Sequence, residues 1–272
     1  MYAFKFERPT TVRQAVNLLA KNDEGKLLAG GHSLIPVLKL RLANPPMLID
    51  LSKVEGLSGI EISPRSVVIG AMTRHADVAN SKELQAVMPG LAAVPGSIGD
   101  PHVRNVGTIG GSLANNDPNA DYPAAVLGLG ATVITSKRKI PADEYFKGMF
   151  ETALEPDEII TKVSFPIAKK AAYQKFKHPA SGFALVGVFV SKRGSEIRVA
   201  VTGAGANGVF RVPSFEEALK KRFSPKSLEG LTHTADGLNS DIHASAEYRA
   251  HLIGVMARRA VAAANEKGGA ED

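Results

Sequence analysis

The chain has 272 residues, of which 44% are hydrophobic and 22% charged, and its formal net charge is +6. This composition is typical of a globular protein long enough for two domains, and disorder is not expected outside the C-terminal tail. The chain contains no cysteine, which excludes disulfide bonds, thiolate catalysis and an iron–sulfur cluster ligated by this chain. No apolar run reaches about 18 residues and no secretory leader is recognisable, so we expect a cytoplasmic protein without a membrane span.

The first fifty residues alternate strand and helix patterns. Strands are predicted at residues 2–6, 26–29 and 47–51, with helices after Thr10 or Thr11 and at residues 34–42. A β-α-β-α-β unit of this kind implies parallel strands joined by right-handed crossovers. The glycine-containing loop at residues 29–34 follows the second strand, which is the end of a strand where ligands of open α/β sheets bind.

A second subdomain is predicted from residue 54 to residue 168. It contains strands at residues 66–71, 131–136 and 158–165, a helix capped by Thr73, and a helix at residues 82–94 interrupted at Pro89-Gly90. An apolar helix begins near Asp121. That aspartate is a favoured N-cap residue, and it could also accept hydrogen bonds from a ribose or ribityl hydroxyl group.

The composition changes again after residue 168, where residues 169–172 are interpreted as a linker. Strands at residues 173–178, 183–191 and 196–202 and helices at residues 214–221, 224–238 and 244–265 predict a separate α+β domain. The tail at residues 268–272 is predicted to be frayed. Residues 203–208 match the dinucleotide pattern G-x-G-x-x-G, but the β-branched segment ending in Pro213 does not permit the helix that this motif requires.

Two paired-glycine segments are the candidate cofactor loops, at residues 29–34 and 108–121. Adjacent glycines allow backbone N–H groups to approach an anion, and two such loops would suit a diphosphate. Neither loop contains lysine or arginine, so phosphate charge would be met by backbone dipoles and by the hydroxyls of Ser33, Thr108 and Ser112. A tight turn is the alternative interpretation of each glycine pair.

The remaining polar residues show no catalytic pattern. The seven histidines lack metal-ligand spacing, and no Ser-His-Asp arrangement can be read from residue order. The absence of acid–base machinery favours a protein whose chemistry belongs to a bound redox cofactor.

Four segments together resemble a known family. They are residues 26–36 (KLLAGGHSLIP), 47–51 (MLIDL), 98–115 (IGDPHVRNVGTIGGSLAN) and 182–188 (GFALVGV). Their order is similar to that in the FAD-binding medium subunits of molybdenum hydroxylases, the group of carbon monoxide dehydrogenase medium chains and xanthine dehydrogenase flavin subunits. The resemblance implies an α+β protein with a vanillyl-alcohol-oxidase (PCMH) type FAD-binding fold of two α/β subdomains. It also implies a C-terminal α+β flavoprotein domain with a three-stranded antiparallel sheet and helices. The implied boundaries are 1–168 for the FAD domain, divided at about residue 53, and 169–272 for the C-terminal domain.

The resemblance also assigns a non-covalent FAD site, and it assigns neither catalytic residues nor metal ligands to this chain. The implied contacts are Leu28, Ala29, Gly30, Gly31, His32, Ser33, Leu34, Ile98, Thr108, Gly110, Gly111, Ser112, Asn115, Asp121, Ile160, Lys177 and Phe183.

Five of these positions have a specific implied role. Ile98 and Ile160 would lie beside the flavin ring, and Asp121 would be the acidic contact. A cation at the N1 and O2 edge would stabilise reduced flavin, and strand alternation is expected to decide whether Lys177 or Lys175 points inward. Phe183 stands where relatives often have tyrosine in Gly-Asp-Tyr, so a ring-shielding aromatic is kept while the hydroxyl and the acid are lost.

The function implied by the resemblance is electron transfer within a larger complex. Substrate would be oxidised at molybdopterin on a large subunit, [2Fe–2S] clusters on a small subunit would carry the electrons, and this chain would deliver them to an acceptor. The implied assembly is a dimer of heterotrimers. One alternative is a stand-alone flavin reductase similar to UDP-N-acetylenolpyruvoylglucosamine reductase. Another is a nucleic-acid binder, although the basic clusters at residues 137–139 and 220–222 lack interleaved aromatics.

Overall fold

The computed structural model describes residues 1–266, and the tail predicted to be frayed lies outside them. The N-terminal part contains β1 (Lys5–Glu7), α1 (Val12–Ala20), β2 (Lys26–Leu28), α2 (Leu34–Lys39) and β3 (Met47–Asp50). All three strands are parallel in the order β1-β3-β2, which confirms the predicted β-α-β-α-β unit. Helix α1 begins where Thr11 and Gln14 form a reciprocal capping box.

The middle part is built on a five-stranded antiparallel sheet of order β4-β5-β10-β6-β7. Its strands are β4 (Ile60–Ile62), β5 (Ser66–Gly70), β6 (Thr132–Thr135), β7 (Lys139–Pro141) and β10 (Ile160–Pro166), and β8 (Phe146–Gly148) and β9 (Glu151–Thr152) form a separate hairpin. Its helices are α3 (His75–Asn80), α4 (Lys82–Val87), α5 (Pro89–Gly96), α6 (Pro101–Val106), α7 (Ile109–Asn115), α8 (Tyr122–Leu129) and α9 (Ala142–Tyr145). The predicted interruption at Pro89 is confirmed, since α4 ends and α5 begins there. Thr73 does not cap α3, because its hydroxyl bonds to Gly59 and Arg74 is the N-cap residue.

The C-terminal part contains β11 (Lys170–Lys177), β12 (Ala184–Arg193), β13 (Glu196–Thr202), β14 (Phe210–Arg211), α10 (Pro213–Lys221) and α11 (Ala246–Glu266). The fold class is confirmed, but the sheet has four antiparallel strands rather than three, because the short β14 pairs with β13. The linker prediction for residues 169–172 was wrong: Ala171 and Ala172 are buried and paired with β12. The predicted helix at residues 224–238 was also wrong, since only Pro225–Leu228 forms a 3-10 turn and the chain adopts positive φ at Gly230 and Gly237.

The glycine-rich segment at residues 203–208 is a loop between β13 and β14, and no helix begins in it. Gly203 donates its N–H to the Pro118 carbonyl oxygen at 2.8 Å, so the loop serves as a contact to the middle part. This confirms that the G-x-G-x-x-G match lacks the strand–helix frame of a dinucleotide site.

The largest hydrophobic core joins the middle and C-terminal parts. Tyr122 and Phe165 from the middle part pack in the same cluster as Tyr173, Phe189 and Ala200 from the C-terminal sheet. Two further clusters lie under α11 and around β3. Among residues 1–266, no helix is at once long enough and apolar enough to span a membrane.

Candidate cofactor site

The first glycine loop connects the end of β2 to the start of α2. Its backbone turns at Gly31, where φ is +73°. The backbone N–H groups of residues 30–34 donate to no backbone or side-chain acceptor within residues 1–266, and the Ser33 hydroxyl makes no capping bond to α2. Consecutive free amides before a helix are the donor set that binds phosphate. This loop therefore fits the predicted diphosphate contact.

The second glycine segment differs from its prediction, because Gly110 and Gly111 lie in the first turn of α7 and not in a loop. Thr108 is the N-cap residue of this helix. The amides of the first turn are all satisfied inside the protein: Ile109 donates to the Thr73 carbonyl (3.2 Å), Gly110 to the Ala71 carbonyl (2.8 Å), Gly111 to the Thr108 hydroxyl (3.2 Å) and Ser112 to the Thr108 carbonyl (3.0 Å). The expectation of two equivalent main-chain cradles is thus wrong, and only the first loop has free amides.

The two glycine segments nevertheless meet, as the prediction of a shared site requires. A methyl group built on Gly30 would lie 2.4 Å from the Val106 carbonyl oxygen and 2.7 Å from the Gly107 Cα atom. One built on Gly111 would lie 3.4 Å from the Ala29 Cβ atom. The first loop therefore packs directly on the chain that enters α7, at a separation that a side chain at residue 30 would prevent.

Gly110 has a packing role instead. A methyl group there would lie 2.7 Å from the Ala71 carbonyl oxygen, so the glycine lets α7 approach the end of β5. Because Gly111 faces the first loop, residue 115, one turn further along, lies on the same side of α7. The side chains of Ser112 and Asn115 form no hydrogen bond within the described residues. These two polar groups remain available to a ligand bound between α7 and the first loop.

Asp121 forms a buried clasp between the middle and C-terminal parts. One carboxylate oxygen accepts a bond from the Tyr173 hydroxyl (2.5 Å) and the other from the Lys175 ammonium (2.9 Å), which also donates to the Ser97 carbonyl oxygen (3.1 Å). Burial raises the pKa of Asp121 and lowers the pKa of Lys175, while the attraction between the two groups opposes both shifts. Asp121 is the N-cap residue of α8 by position, as predicted, but its side chain makes no capping bond to an amide of the helix. Both oxygens are already engaged by protein donors.

Lys175 and Lys177 differ in burial although they are two residues apart. Regular alternation places residues i and i+2 on one face, so alternation could not separate them as we expected. The register of β11 against β12 shifts between Phe176 and Lys177, and Lys175 is buried while Lys177 is exposed. Burial raises the pKa of Asp121, and Lys177 stays close enough to that carboxyl group to oppose the rise in part. Tyr173 shares the face of Lys175, and this spacing was the sequence signal for the clasp that we missed.

The residues implied to contact the flavin ring lie in three environments. Ile98 is half-buried, and its carbonyl oxygen accepts a bond from Arg104 at 2.9 Å. Phe183 is 51% exposed and follows Gly182, whose added methyl group would lie 3.9 Å from the Gly99 Cα atom. These two loops are therefore neighbours, with an exposed aromatic at their edge. Ile160 instead is only 5% exposed and lies in the core beneath α7.

His75 is a buried neighbour of the site that the sequence did not single out. Its backbone N–H donates to the Gly107 carbonyl oxygen (2.9 Å), and a methyl group on Gly107 would lie 2.7 Å from His75 Nε2. Burial, with a smaller contribution from His32, lowers the pKa of His75 to about 4. Its ring centroid is 5.3 Å from that of Tyr122, and neither His75 Nδ1 nor the Tyr122 hydroxyl has a partner within residues 1–266. The His75 side chain is thus neutral and packs against Gly107. No signal in the sequence pointed to this contact.

Comparison with known proteins shows which family the chain resembles along its length. Residues 2–168 match the family model described as the FAD binding domain in molybdopterin dehydrogenase, and residues 171–264 match the CO dehydrogenase flavoprotein C-terminal domain. The chain is 35% identical to the carbon monoxide dehydrogenase medium chain of Hydrogenophaga pseudoflava, covering 96% of each chain. It is 36% identical to the nicotine 6-hydroxylase medium subunit of Paenarthrobacter nicotinovorans, covering 97% of this chain and 98% of that one.

A solved structure of a relative has the same fold. The structure of carbon monoxide dehydrogenase from Hydrogenophaga pseudoflava, in a form that lacks the Mo-pyranopterin moiety of its molybdenum cofactor, superposes with a TM-score of 0.88. The identity is 35%, and the match covers 98% of each chain. The resemblance inferred from the four motifs is thereby confirmed, and the chain belongs to the FAD-binding medium subunits of the molybdopterin dehydrogenase family.

Proposed function

We propose that this chain is the FAD-binding electron-transfer subunit of a heteromeric molybdenum hydroxylase. Bound FAD would take electrons from [2Fe–2S] clusters of a partner subunit and pass them to an external acceptor. Two relatives carry the names medium chain and medium subunit, which places each of them among other subunits. The absence of cysteine supports a cluster on a partner, because such clusters are held by cysteine thiolates.

The observation that carries the proposal is the row of free amides at residues 30–34. These donors would hold the diphosphate of FAD, with the Ser33 hydroxyl beside them. Hydrogen bonds to charged groups contribute about 1.5–3 kcal/mol each, so five such donors can bind an anion without lysine or arginine. The unbonded side chains of Ser112 and Asn115 would bind the polar chain between diphosphate and ring.

The residues around the ring would exclude water and set the local charge. Ile98 and Phe183 would cover apolar surface, and Lys177 would supply an exposed positive charge near the clasp. Asp121 and Lys175 largely neutralise one another. We therefore assign Asp121 to positioning of the C-terminal sheet, and assign the electrostatic role to Lys177.

The protein would have two domains and would work within a complex. The chain would divide into an FAD domain at residues 1–168, with subdomains meeting near residue 53, and a C-terminal domain at residues 169–272. Its partners would be a large molybdopterin subunit and a small iron–sulfur subunit, assembled as a dimer of heterotrimers in the cytoplasm.

Purification of the tagged chain from its own organism tests the proposal. We expect one FAD per chain, with molybdenum and iron in two co-purifying chains, one larger and one smaller. A yellow single chain that reduces an enolpyruvyl sugar would instead support the stand-alone reductase. Correctly folded chain that takes up no FAD would refute the cofactor assignment.

A further inference from the structure

Two histidines from distant parts of the sequence form a direct bond beside the Phe183 loop, defined here as residues 178–183. His178 Nε2 lies 3.0 Å from His243 Nδ1, with the rings 4.3 Å apart and nearly perpendicular at 77°. The other nitrogen of His178, Nδ1, lies 3.2 Å from the backbone nitrogens of both Ala180 and Ser181. One imidazole thus connects the loop to the segment before α11.

The hydrogen bonds fix the protonation of both rings. Because the Ala180 and Ser181 amides donate to His178 Nδ1, that nitrogen must carry a lone pair. A neutral imidazole has one N–H group, so His178 is protonated at Nε2 and donates to His243 Nδ1. His243 must then be neutral with its own proton on Nε2. A second proton on either ring removes an acceptor from this chain of bonds.

The bonds made by His178 close the loop that carries Phe183. The backbone N–H of His178 donates to the Phe183 carbonyl oxygen, and the backbone N–H of Gly182 donates to the His178 carbonyl oxygen, each at 2.9 Å. Gly182 in turn lies against Gly99, next to Ile98. The Phe183 loop, which lies beside the Ile98 segment, is therefore held both by these backbone bonds and by the His178 ring, whose Nδ1 accepts from two amides of the same loop.

His243 is itself anchored to the C-terminal sheet. The backbone N–H of His243 donates to one carboxylate oxygen of Asp241 (2.9 Å). The other oxygen accepts from Arg249 (2.7 Å), whose side chain is only 3% exposed. Arg249 also donates to the Leu185 carbonyl oxygen at 2.7 Å. Of the charged groups near the pair, Asp241 interacts with both His243 and Arg249, and Lys177 directly precedes His178 in the chain.

We propose that His178 and His243 are positioning residues that hold the Phe183 loop closed over the flavin ring, and that protonation of either imidazole releases the loop. This inference rests on the proposed function for the identity of the covered group. The pair is partly solvent-exposed, so the bond is worth about a two- to tenfold change in the ratio of closed to open loop.

The first experiment needs no cofactor. Two-bond ¹H–¹⁵N spectra of the full chain at pH 8 should show His178 protonated at Nε2 and unprotonated at Nδ1. The amide proton shifts of Ala180 and Ser181 should follow His178 as pH is lowered, and His243→Ala should move that midpoint. Protonation of His178 at Nδ1 at pH 8, or amides that do not follow its titration, would overturn the proposal.

The second experiment measures access to the FAD-loaded chain by iodide quenching of flavin fluorescence. His178→Ala and His243→Ala should each raise the quenching constant about two- to tenfold at pH 8, and the double variant should add little, because both remove the same bond. His178→Asn keeps an acceptor for the Ala180 and Ser181 amides without titrating, and should lose part of the pH dependence. His251→Ala, an exposed histidine on α11, is the matched control and should behave as wild type.

The two measurements separate the possible failures. A chain that binds no FAD refutes the proposed function, while the tautomer and amide shifts still decide the histidine bond. Equal quenching in wild type, His178→Ala and His243→Ala, with FAD bound, refutes the closure of the loop over the flavin.

Discussion

A methyl group at residue 30 is the sharpest perturbation that the candidate cofactor site offers. In Gly30→Ala the new Cβ atom would lie 2.4 Å from the Val106 carbonyl oxygen and 2.7 Å from the Gly107 Cα atom. Both neighbours are backbone atoms and cannot rotate away. The first loop must therefore move off the segment that enters α7, and the free amides of residues 30–34 must move with it.

Gly30→Ala should lower both the folding free energy and the affinity for FAD. Overpacking at such a contact costs about 1–3 kcal/mol of folding free energy, and each kcal/mol lowers the melting temperature by about 2–4 °C for a chain of this size. Displacement of one amide from the diphosphate removes a charge-assisted hydrogen bond of about 1.5–3 kcal/mol, which weakens FAD binding by about tenfold to 150-fold. Affinity and stability should therefore both fall, by similar free energies.

Fluorescence titration with FAD measures the affinity, and thermal unfolding followed by circular dichroism measures the stability. The matched control is Gly254→Ala in α11, where a methyl group would meet its nearest neighbours, Arg258 and the Leu231 carbonyl oxygen, at 3.5 and 3.6 Å. This control should leave FAD affinity unchanged and should not destabilise the helix. Wild-type affinity in Gly30→Ala together with a lowered melting temperature would show that the displaced loop does not hold the diphosphate.

Three further predictions concern buried titratable groups. Lys175→Met leaves the Asp121 carboxylate without its counter-ion and should cost about 3–5 kcal/mol in urea unfolding, whereas adding Asp121→Asn should restore much of that loss; equal loss in both variants would contradict the clasp. Burial lowers the pKa of His75 from 6.5 to about 4. The stability that comes from neutral His75 is therefore fully present above pH 6.5, and the free energy of unfolding should fall by about 3 kcal/mol as pH drops toward 4. Urea unfolding of His75→Phe should lack this dependence on pH. Burial raises the pKa of Glu158, but hydrogen bonds led by that from Arg138 outweigh it and lower the pKa to about 2. Stability from Glu158 is therefore present above pH 4.5 and lost as pH falls toward 2, and the difference in melting temperature between wild type and Glu158→Gln should shrink over that interval.

The sequence predicted those parts of the fold that depend on local pattern. The β-α-β-α-β unit followed from alternating apolar runs, and the break between α4 and α5 followed from Pro89. The error at residues 169–172 has a physical cause, because two lysines beside two small alanines resemble a linker. Only the pairing of Ala171 and Ala172 with β12 makes that segment a strand.

The sequence predicted which segments meet at the candidate site better than it predicted the contacts that their side chains make. Glycine disfavours helices, so the pair at Gly110 was interpreted as a loop. The structure shows a helix there because Thr108 caps it and because only glycine fits against Ala71. The partners of Asp121 depend on how β11 meets the middle part, and residue order does not contain that packing. The burial of Lys175 against the exposure of Lys177 depends on a register shift, which alternation cannot anticipate.

The shared core of Tyr122, Phe165, Tyr173 and Phe189 has a consequence for how the molecule can move and be divided. Separation of the C-terminal sheet from the FAD-binding part would expose these rings to water together with the Asp121–Lys175 pair. Hinge opening between the two parts is therefore costly, and access to the flavin edge must come from small loops at the rim. For the same reason, the two halves expressed as separate polypeptides should aggregate or remain unfolded, and the whole chain should unfold in a single thermal transition.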